Sequence, residues 1–100
     1  MTVALFAPLA ERDLRKLRRS PDLGRIREAI RALERGEEGL DIVALEGRRP
    51  WRRLREGDWR IIFRPLSQAE ARRLGIADGD ALLVARIVNR RDLERAIRTL

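Results

Sequence analysis

The spacing of the apolar residues changes once along the chain, and this change limits the possible folds more than any other feature. Between residues 9 and 36, leucine, isoleucine and alanine recur at intervals of three and four, the spacing of one helix face. Residues 58–66 instead alternate, and residues 81–88 form an apolar run with one charge, both typical of strands. The sequence therefore predicts an α+β domain in which helices pack on a sheet.

Turn and capping residues divide the chain into elements. A break at 20–22 separates two helices: either Ser20 caps the second helix with Pro21 at its first position, or Asp22 caps it one turn later. Ser67 and Glu70 have the spacing of a capping box, and Gly75 predicts the end of a short helix. In chain order, the predicted elements are a strand at 2–6, a helical hairpin ending at Gly36, strands at 40–45, 51–55 and 58–66, an insertion at 67–80, a strand at 81–88 and a helix at 89–100 capped by Asn89.

These elements give the order β-α-α-β-β-β-β-α in a single domain spanning residues 1–100. Strands joined by short turns pair antiparallel, so we expect a curved antiparallel sheet of four or five strands. We also expect the N-terminal hairpin and the C-terminal helix to cover one face of that sheet. Trp59 points toward the helices in this arrangement, and both Trp51 and Trp59 are interpreted either as core residues or as surfaces for base stacking.

Three absent residue types exclude much enzyme chemistry. The chain has no Cys, no His and no Tyr. Disulfides, thiolate metal sites and histidine-based acid–base schemes are therefore excluded, and no cofactor or metal is expected. No apolar run approaches the roughly 20 residues of a membrane span. The first residues carry no basic stretch, so we do not expect a secretory signal.

The net charge of +7 favours an anionic partner. All but one of the 23 basic residues are arginine, which a GC-rich genome explains as well as function does, although it does not explain the net charge. Residues 48–64 hold seven arginines against two acids, whereas residues 37–47 hold four acids and no base. Alternation places Arg60 and Arg64 on the face opposite Trp59, with Arg52 or Arg53 joining them according to register. This face is either a phosphate-binding surface or an ordinary solvated face.

Several stretches together resemble the RelE/ParE toxin superfamily of bacterial toxin–antitoxin systems. The resemblance covers nearly the whole chain, through the element order, the 40–47 and 51–55 segments, the run Gly-Asp-Trp-Arg-Ile-Ile-Phe at 57–63 and the run Ala-Arg-Ile-Val-Asn-Arg-Arg-Asp at 85–92. It implies a RelE-like fold. It also implies a toxin that binds and cleaves mRNA on the ribosome or, alternatively, a ParE-like gyrase inhibitor or another toxin that acts by binding a protein.

The resemblance also implies roles for individual arginines. Arg60 matches the strand arginine that contacts the scissile phosphate in RelE-like toxins, Arg53 lies near a basic position of similar role, and Arg90 or Arg91 matches the late arginine before the last helix. We therefore take Arg60, Arg53 and Arg91 as candidate catalytic residues. The candidate phosphate-binding residues are Arg52, Arg55, Arg64, Arg86 and Arg90.

One departure from the RelE pattern leaves nuclease activity open. RelE-like nucleases commonly carry His at the position of Asn89 or Tyr early in the last helix, and this chain has neither. Candidate replacements for the acid and base are Glu56, Asp58, Asp92 and Glu94. The expected partners are the ribosome with its mRNA and an acidic, amphipathic antitoxin, in the cytoplasm, with the toxin either monomeric or in a hetero-oligomer with its antitoxin.

Overall fold

The computed structural model describes residues 2–77 and 79–100. Its elements follow the predicted order. They are β1 (Val3–Phe6), α1 (Pro8–Lys16), α2 (Leu23–Glu34), β2 (Ile42–Ala44), β3 (Arg52–Glu56), β4 (Trp59–Pro65), α3 (Gln68–Leu74), β5 (Ala81–Asn89), a one-turn 3-10 segment (Arg90–Asp92) and α4 (Leu93–Ile97).

The five strands form one sheet in the order β1-β5-β4-β3-β2. The pairs β2–β3, β3–β4 and β4–β5 are antiparallel, as expected. The expectation of a wholly antiparallel sheet is wrong for β1, which pairs parallel to β5 with Val3 opposite Ala81. A parallel neighbour needs a long connection rather than a hairpin, and here all of the chain between the two strands provides it.

The helical hairpin packs on one face of the sheet, as its spacing predicts. Ile26 of α2 and Ile61 of β4 are both fully buried in this core. Asp22 is the residue at the N-terminus of α2, but its carboxylate does not cap the helix. It accepts a hydrogen bond from Trp59 Nε1 at 3.0 Å instead, while Ser20 Oγ accepts the Asp22 amide at 3.1 Å. Trp59 thus packs against the main core with its polar atom satisfied.

The C-terminal helix lies on the other face, which corrects the expectation that all helices share one face. Ile62 and Val88 point away from the hairpin and form a second, smaller core with Ala96 of α4. Leu93 and Ile97 add partly buried apolar surface to it. The alternation of β4 already indicates a second core on this face, because Ile62 is an apolar residue on the face that otherwise carries Arg60 and Arg64.

Carboxylates complete the hydrogen bonding where the sheet lacks a further strand. The Ala4 amide donates to Glu34 Oε2 at 2.8 Å on the outer side of β1. Beyond Phe6, β1 no longer accompanies β5, and the Ile87 amide donates to Asp13 Oδ2 at 2.8 Å. Asp13 is 6% exposed, and it also accepts Arg86 Nε at 2.9 Å. A buried carboxylate with these donors is well compensated.

The insertion contains the short helix that its capping residues predict. Ser67 Oγ accepts the Glu70 amide at 3.1 Å, and Glu70 Oε1 accepts the Ser67 amide at 2.9 Å, which is a complete capping box. Gly75 ends α3 with φ at 68°, a left-handed conformation that favours glycine. The confirmed cap fixes α3 beside the end of β4.

Candidate nucleic-acid interface

Strand register brings three arginines to one face of β3 and β4. Arg55 lies directly opposite Arg60, and Arg53 lies opposite Ile62, two residues further along the same face. Arg90, which follows β5, contributes to the positive potential at Arg60. We call Arg53, Arg55, Arg60 and Arg90 the arginine cluster. Like charges placed opposite each other destabilise a sheet, so this face favours an anion between them.

Arg60 is at the centre of the arginine cluster. Partial desolvation holds the pKa of Arg60 below its ordinary value, and the neighbouring charges of Arg55, Arg53 and Arg90 lower the pKa further. Its Nη1 donates to the Gly57 carbonyl at 2.9 Å and to the Trp59 carbonyl at 3.0 Å, which orients the guanidinium from the β3–β4 turn. Within the described residues, Arg60 makes no ion pair, so its charge is available to an external anion.

Asp41 is a member of this site that the sequence analysis did not select. Arg53 Nη1 donates to Asp41 Oδ1 at 3.1 Å, and Arg55 Nη1 lies 4.0 Å from Asp41 Oδ2. Asp41 thereby orients Arg53, lies at the limit of ion-pair distance from Arg55 and partly offsets the repulsion at Arg60. The only available signal was the acidic 37–47 segment beside a basic one, and that signal does not distinguish Asp41 from its neighbours.

The other predicted phosphate-binding residues lie elsewhere. Arg64 forms a bidentate pair with Glu70, at 2.7 and 2.8 Å, and its guanidinium lies 5.3 Å from the centre of the Trp51 ring. The hydrogen bonds that Arg64 donates to the Glu70 carboxylate raise the pKa of Arg64. Arg52 lies opposite Phe63, on the other face of the sheet from Arg53. The ion pair with Glu70 therefore separates Arg64 from the cluster, and Arg52 is separated from it because it lies on the other face of the sheet.

Arg86 and Arg91 are also outside the arginine cluster. Arg86 pairs with buried Asp13 and is itself only 18% exposed as a side chain, so it links β5 to α1. Its Nη1 donates to Thr99 Oγ1 at 3.3 Å. Arg91 lines a separate groove with Lys16 and Arg95, which we call the Lys16 groove. Of the eight predicted arginines, Arg53, Arg55, Arg60 and Arg90 come together.

The candidate acid–base carboxylates are scattered as well. Glu56 lies opposite Trp59, on the face away from Arg60, and Asp92 lines the Lys16 groove. Asp58 Oδ1 lies 3.6 Å from Arg90 Nε, with both side chains 68% exposed. Glu94 of α4 lines a groove of about 430 Å³ together with Arg53, Arg48 and Glu46. Asp58 and Glu94 are therefore the two candidates that adjoin the arginine cluster.

Among residues 2–77 and 79–100, no group of three or more His, Cys, Asp or Glu side chains could hold a metal ion. No helix in those same ranges has the length and apolarity that crossing a membrane requires.

The fold is that of the RelE-like toxins. The chain is similar to the toxin structure from the RelB-RelE antitoxin-toxin complex of Methanococcus jannaschii, with 21% identity, a TM-score of 0.64 and coverage of 91% of this chain and 95% of that one. It is also similar to the E. coli DinJ-YafQ complex structure, with 15% identity, a TM-score of 0.67 and coverage of 93% and 98%. YafQ from E. coli strain BL21(DE3) gives 15% identity and a TM-score of 0.66.

The likeness is one of structure rather than of sequence. No family model matches the chain, and no curated protein sequence matches it. The RelE-like fold implied by the segments at 57–63 and 85–92 is confirmed by the solved structures.

Proposed function

We propose that this chain is the toxin of a type II toxin–antitoxin system, and that it blocks translation by binding mRNA on the ribosome and cleaving it. The observation that carries this proposal is the arginine cluster around Arg60, which makes no ion pair with any described residue, on a fold shared with toxins solved in antitoxin complexes. We expect the protein in the cytoplasm, where its ribosomal target lies, and we expect no metal and no cofactor.

The arginine cluster suits one part of RNA cleavage particularly well. The 2′-oxygen forms a bond to phosphorus, the bond to the 5′-oxygen breaks, a base takes the 2′-proton and an acid protonates the leaving oxygen. The pentavalent phosphorane carries extra negative charge, which preorganised Arg60 stabilises in the transition state, with Arg53 beside it. Arg91 lies apart from the arginine cluster, so we expect it to contact flanking RNA rather than the scissile phosphate.

The proton transfers need groups other than His or Tyr, because the chain contains neither. Glu94, Asp58, water and groups of the ribosomal RNA are the available acids and bases. Arginine supplies charge and hydrogen-bond donors but not a base. Removing one such donor typically slows the chemical step roughly 10²–10³-fold.

Inducible expression tests the role of Arg60. We expect wild type to arrest growth and Arg60→Ala to abolish the arrest while the purified variant keeps the wild-type circular dichroism spectrum and melting temperature. Arg72→Ala on exposed α3 is the matched control, because it removes one charge away from the cluster. A folded, fully toxic Arg60→Ala protein would refute the proposal.

The missing His and Tyr favour a second candidate, a ParE-like or other non-nucleolytic toxin that binds a protein target. Mapping of transcript ends in induced cells separates the two. Cuts at ribosomal A-site codons support the nuclease, and gyrase-dependent DNA damage without such cuts supports the second candidate. Absence of any growth effect contradicts both and indicates a degenerate toxin retained as a binding module.

Either toxic role calls for a cognate antitoxin. The two solved complexes pair RelE with RelB and YafQ with DinJ. For this chain, with a net charge of +7, we expect an acidic, amphipathic segment that covers the arginine cluster in a hetero-oligomer, while the toxin alone is a monomer. A small acidic or DNA-binding reading frame beside this gene would support the pairing, and co-expression of its product should restore growth.

A further inference from the structure

The Lys16 groove is a second basic site, separate from the arginine cluster. It has a volume of about 380 Å³ and lies over the end of β5, between α1 and the segment 90–95. Its cations are Lys16, Arg86, Arg91 and Arg95, and its carboxylates are Asp13 and Asp92, which gives a net charge of four minus two, or +2.

Three of these cations are available to a ligand. Arg86 is already neutralised by Asp13 at 2.9 Å. The side chains of Lys16, Arg91 and Arg95 are exposed, and in the described part of the chain none of them is engaged by a carboxylate. Three cations that share one concave surface without an internal partner attract a polyanion.

Trp59 forms an aromatic part of the same groove. Its Nε1 is already bonded to Asp22, so the ring offers the groove apolar surface rather than a hydrogen-bond donor. Aromatic surface beside cations suits single-stranded nucleic acid, whose bases stack while its phosphates contact the charges. An acidic, amphipathic protein segment would also contact both the cations and the ring, so it is the position of the groove beside the arginine cluster that favours RNA.

The groove and the arginine cluster lie close enough for one RNA strand to contact both. Val88 lies opposite Arg60 in the sheet and also lines the groove. Neighbouring strands are about 4.8 Å apart. The consecutive residues Arg90 and Arg91 belong to the cluster and to the groove, respectively. An RNA backbone held at Arg60 therefore reaches the groove by passing over the end of β5.

We propose that the Lys16 groove is a second phosphate subsite, which holds single-stranded RNA flanking the nucleotide at Arg60. The proposal rests on the proposed function, since it extends the same RNA footprint. It gives Lys16, Arg91 and Arg95 a binding role and no chemical role.

The test compares two double variants with equal loss of charge. Lys16→Gln with Arg95→Gln empties the groove of two cations, and Arg72→Gln with Arg73→Gln removes two exposed cations from α3. Binding of a fluorescein-labelled oligouridine RNA is measured by anisotropy over a range of salt concentrations. The groove variant should weaken binding and reduce the slope of log affinity against log salt by about 0.7 for every phosphate that the groove no longer holds. The α3 variant should keep the wild-type slope.

A second readout follows from the two tryptophans of the chain. In Trp51→Phe protein, Trp59 is the sole tryptophan, so quenching of its emission by the same RNA reports occupancy of the groove. We expect quenching that the groove variant loses and the α3 variant retains. Equal affinity, slope and quenching in both double variants would overturn the subsite, even if Arg60→Ala abolishes toxicity. A wild-type protein whose RNA binding is absent or insensitive to salt would overturn the subsite and the proposed function together.

Discussion

The interaction between Asp13 and Arg86 gives the sharpest stability prediction. Asp13 accepts Arg86 Nε at 2.9 Å, Arg86 Nη2 at 3.3 Å and the Ile87 amide at 2.8 Å. The two side chains are only 7% and 18% exposed. Asp13→Ala removes the acceptor of all three bonds at once, which leaves a largely buried guanidinium without a counter-ion and a buried amide without an acceptor.

The expected magnitude follows from these two losses. Breaking a buried ion pair by removing one partner costs about 3–5 kcal/mol. A buried amide left unsatisfied costs about 1–3 kcal/mol, although penalties at one site do not simply add. We therefore expect the free energy of unfolding to fall by at least about 3 kcal/mol, out of the roughly 5–15 kcal/mol that a domain possesses. For a chain of this size, the melting temperature should then fall by at least about 12 °C.

Urea and thermal denaturation followed by circular dichroism measure this loss. Asp58→Asn is the control for an exposed pair, because Asp58 and Arg90 are 3.6 Å apart and solvated, and its cost should stay below about 1 kcal/mol. Combining Asp13→Ala with Arg86→Met removes the buried cation as well and should recover part of the loss, leaving the unpaired Ile87 amide. An Asp13→Ala protein within about 1 kcal/mol of wild type would show that this reasoning is wrong.

Three other perturbations probe the turn, the core and the insertion. Gly57→Ala forces a side chain onto a φ of 57° and should cost about 1–2 kcal/mol by urea denaturation. Ile61→Ala at a fully buried position should cost about 2–5 kcal/mol in the same assay. Arg64 and the Ser67 amide lower the pKa of Glu70 from 4.5 to about 2, so its contribution is complete above pH 4.5 and is lost as the pH falls toward 2. Glu70→Gln should abolish that part of the acid dependence of the melting temperature, and an unchanged acid profile would contradict it.

The sequence predicted those elements that are determined by residues close together in the chain. The capping box of Ser67 and Glu70, the glycine end of α3 and the alternation of β4 each depend on residues within a few positions of one another. The shared face of Arg55 and Arg60 also follows from a short hairpin, which fixes strand register. This part of the candidate site was therefore accessible from sequence.

Long-range pairing was not accessible in this way. Asp13 and Arg86 are 73 positions apart, so no spacing rule couples them, and Arg86 was assigned to phosphate binding instead. The position of Arg91 in a separate groove could not be predicted for the same reason. Arg90 and Arg91 are consecutive, and no local pattern indicates that their side chains lie on different sides of the end of β5. The position of α4 was a different case, since apolar Ile62 on the arginine face already marked a second core.

The carboxylates of Glu34 and Asp13 accept strand amides that have no neighbouring strand, on β1 and on β5 respectively. They occupy the amides that β1 and the second half of β5 would otherwise offer to an incoming strand. Substituting Glu34 would leave the Ala4 amide unpaired on the outer edge of β1, and an unpaired strand edge recruits strands from neighbouring molecules. Loss of Glu34 should therefore promote self-association, whereas the Ile87 amide that loss of Asp13 leaves unpaired is buried.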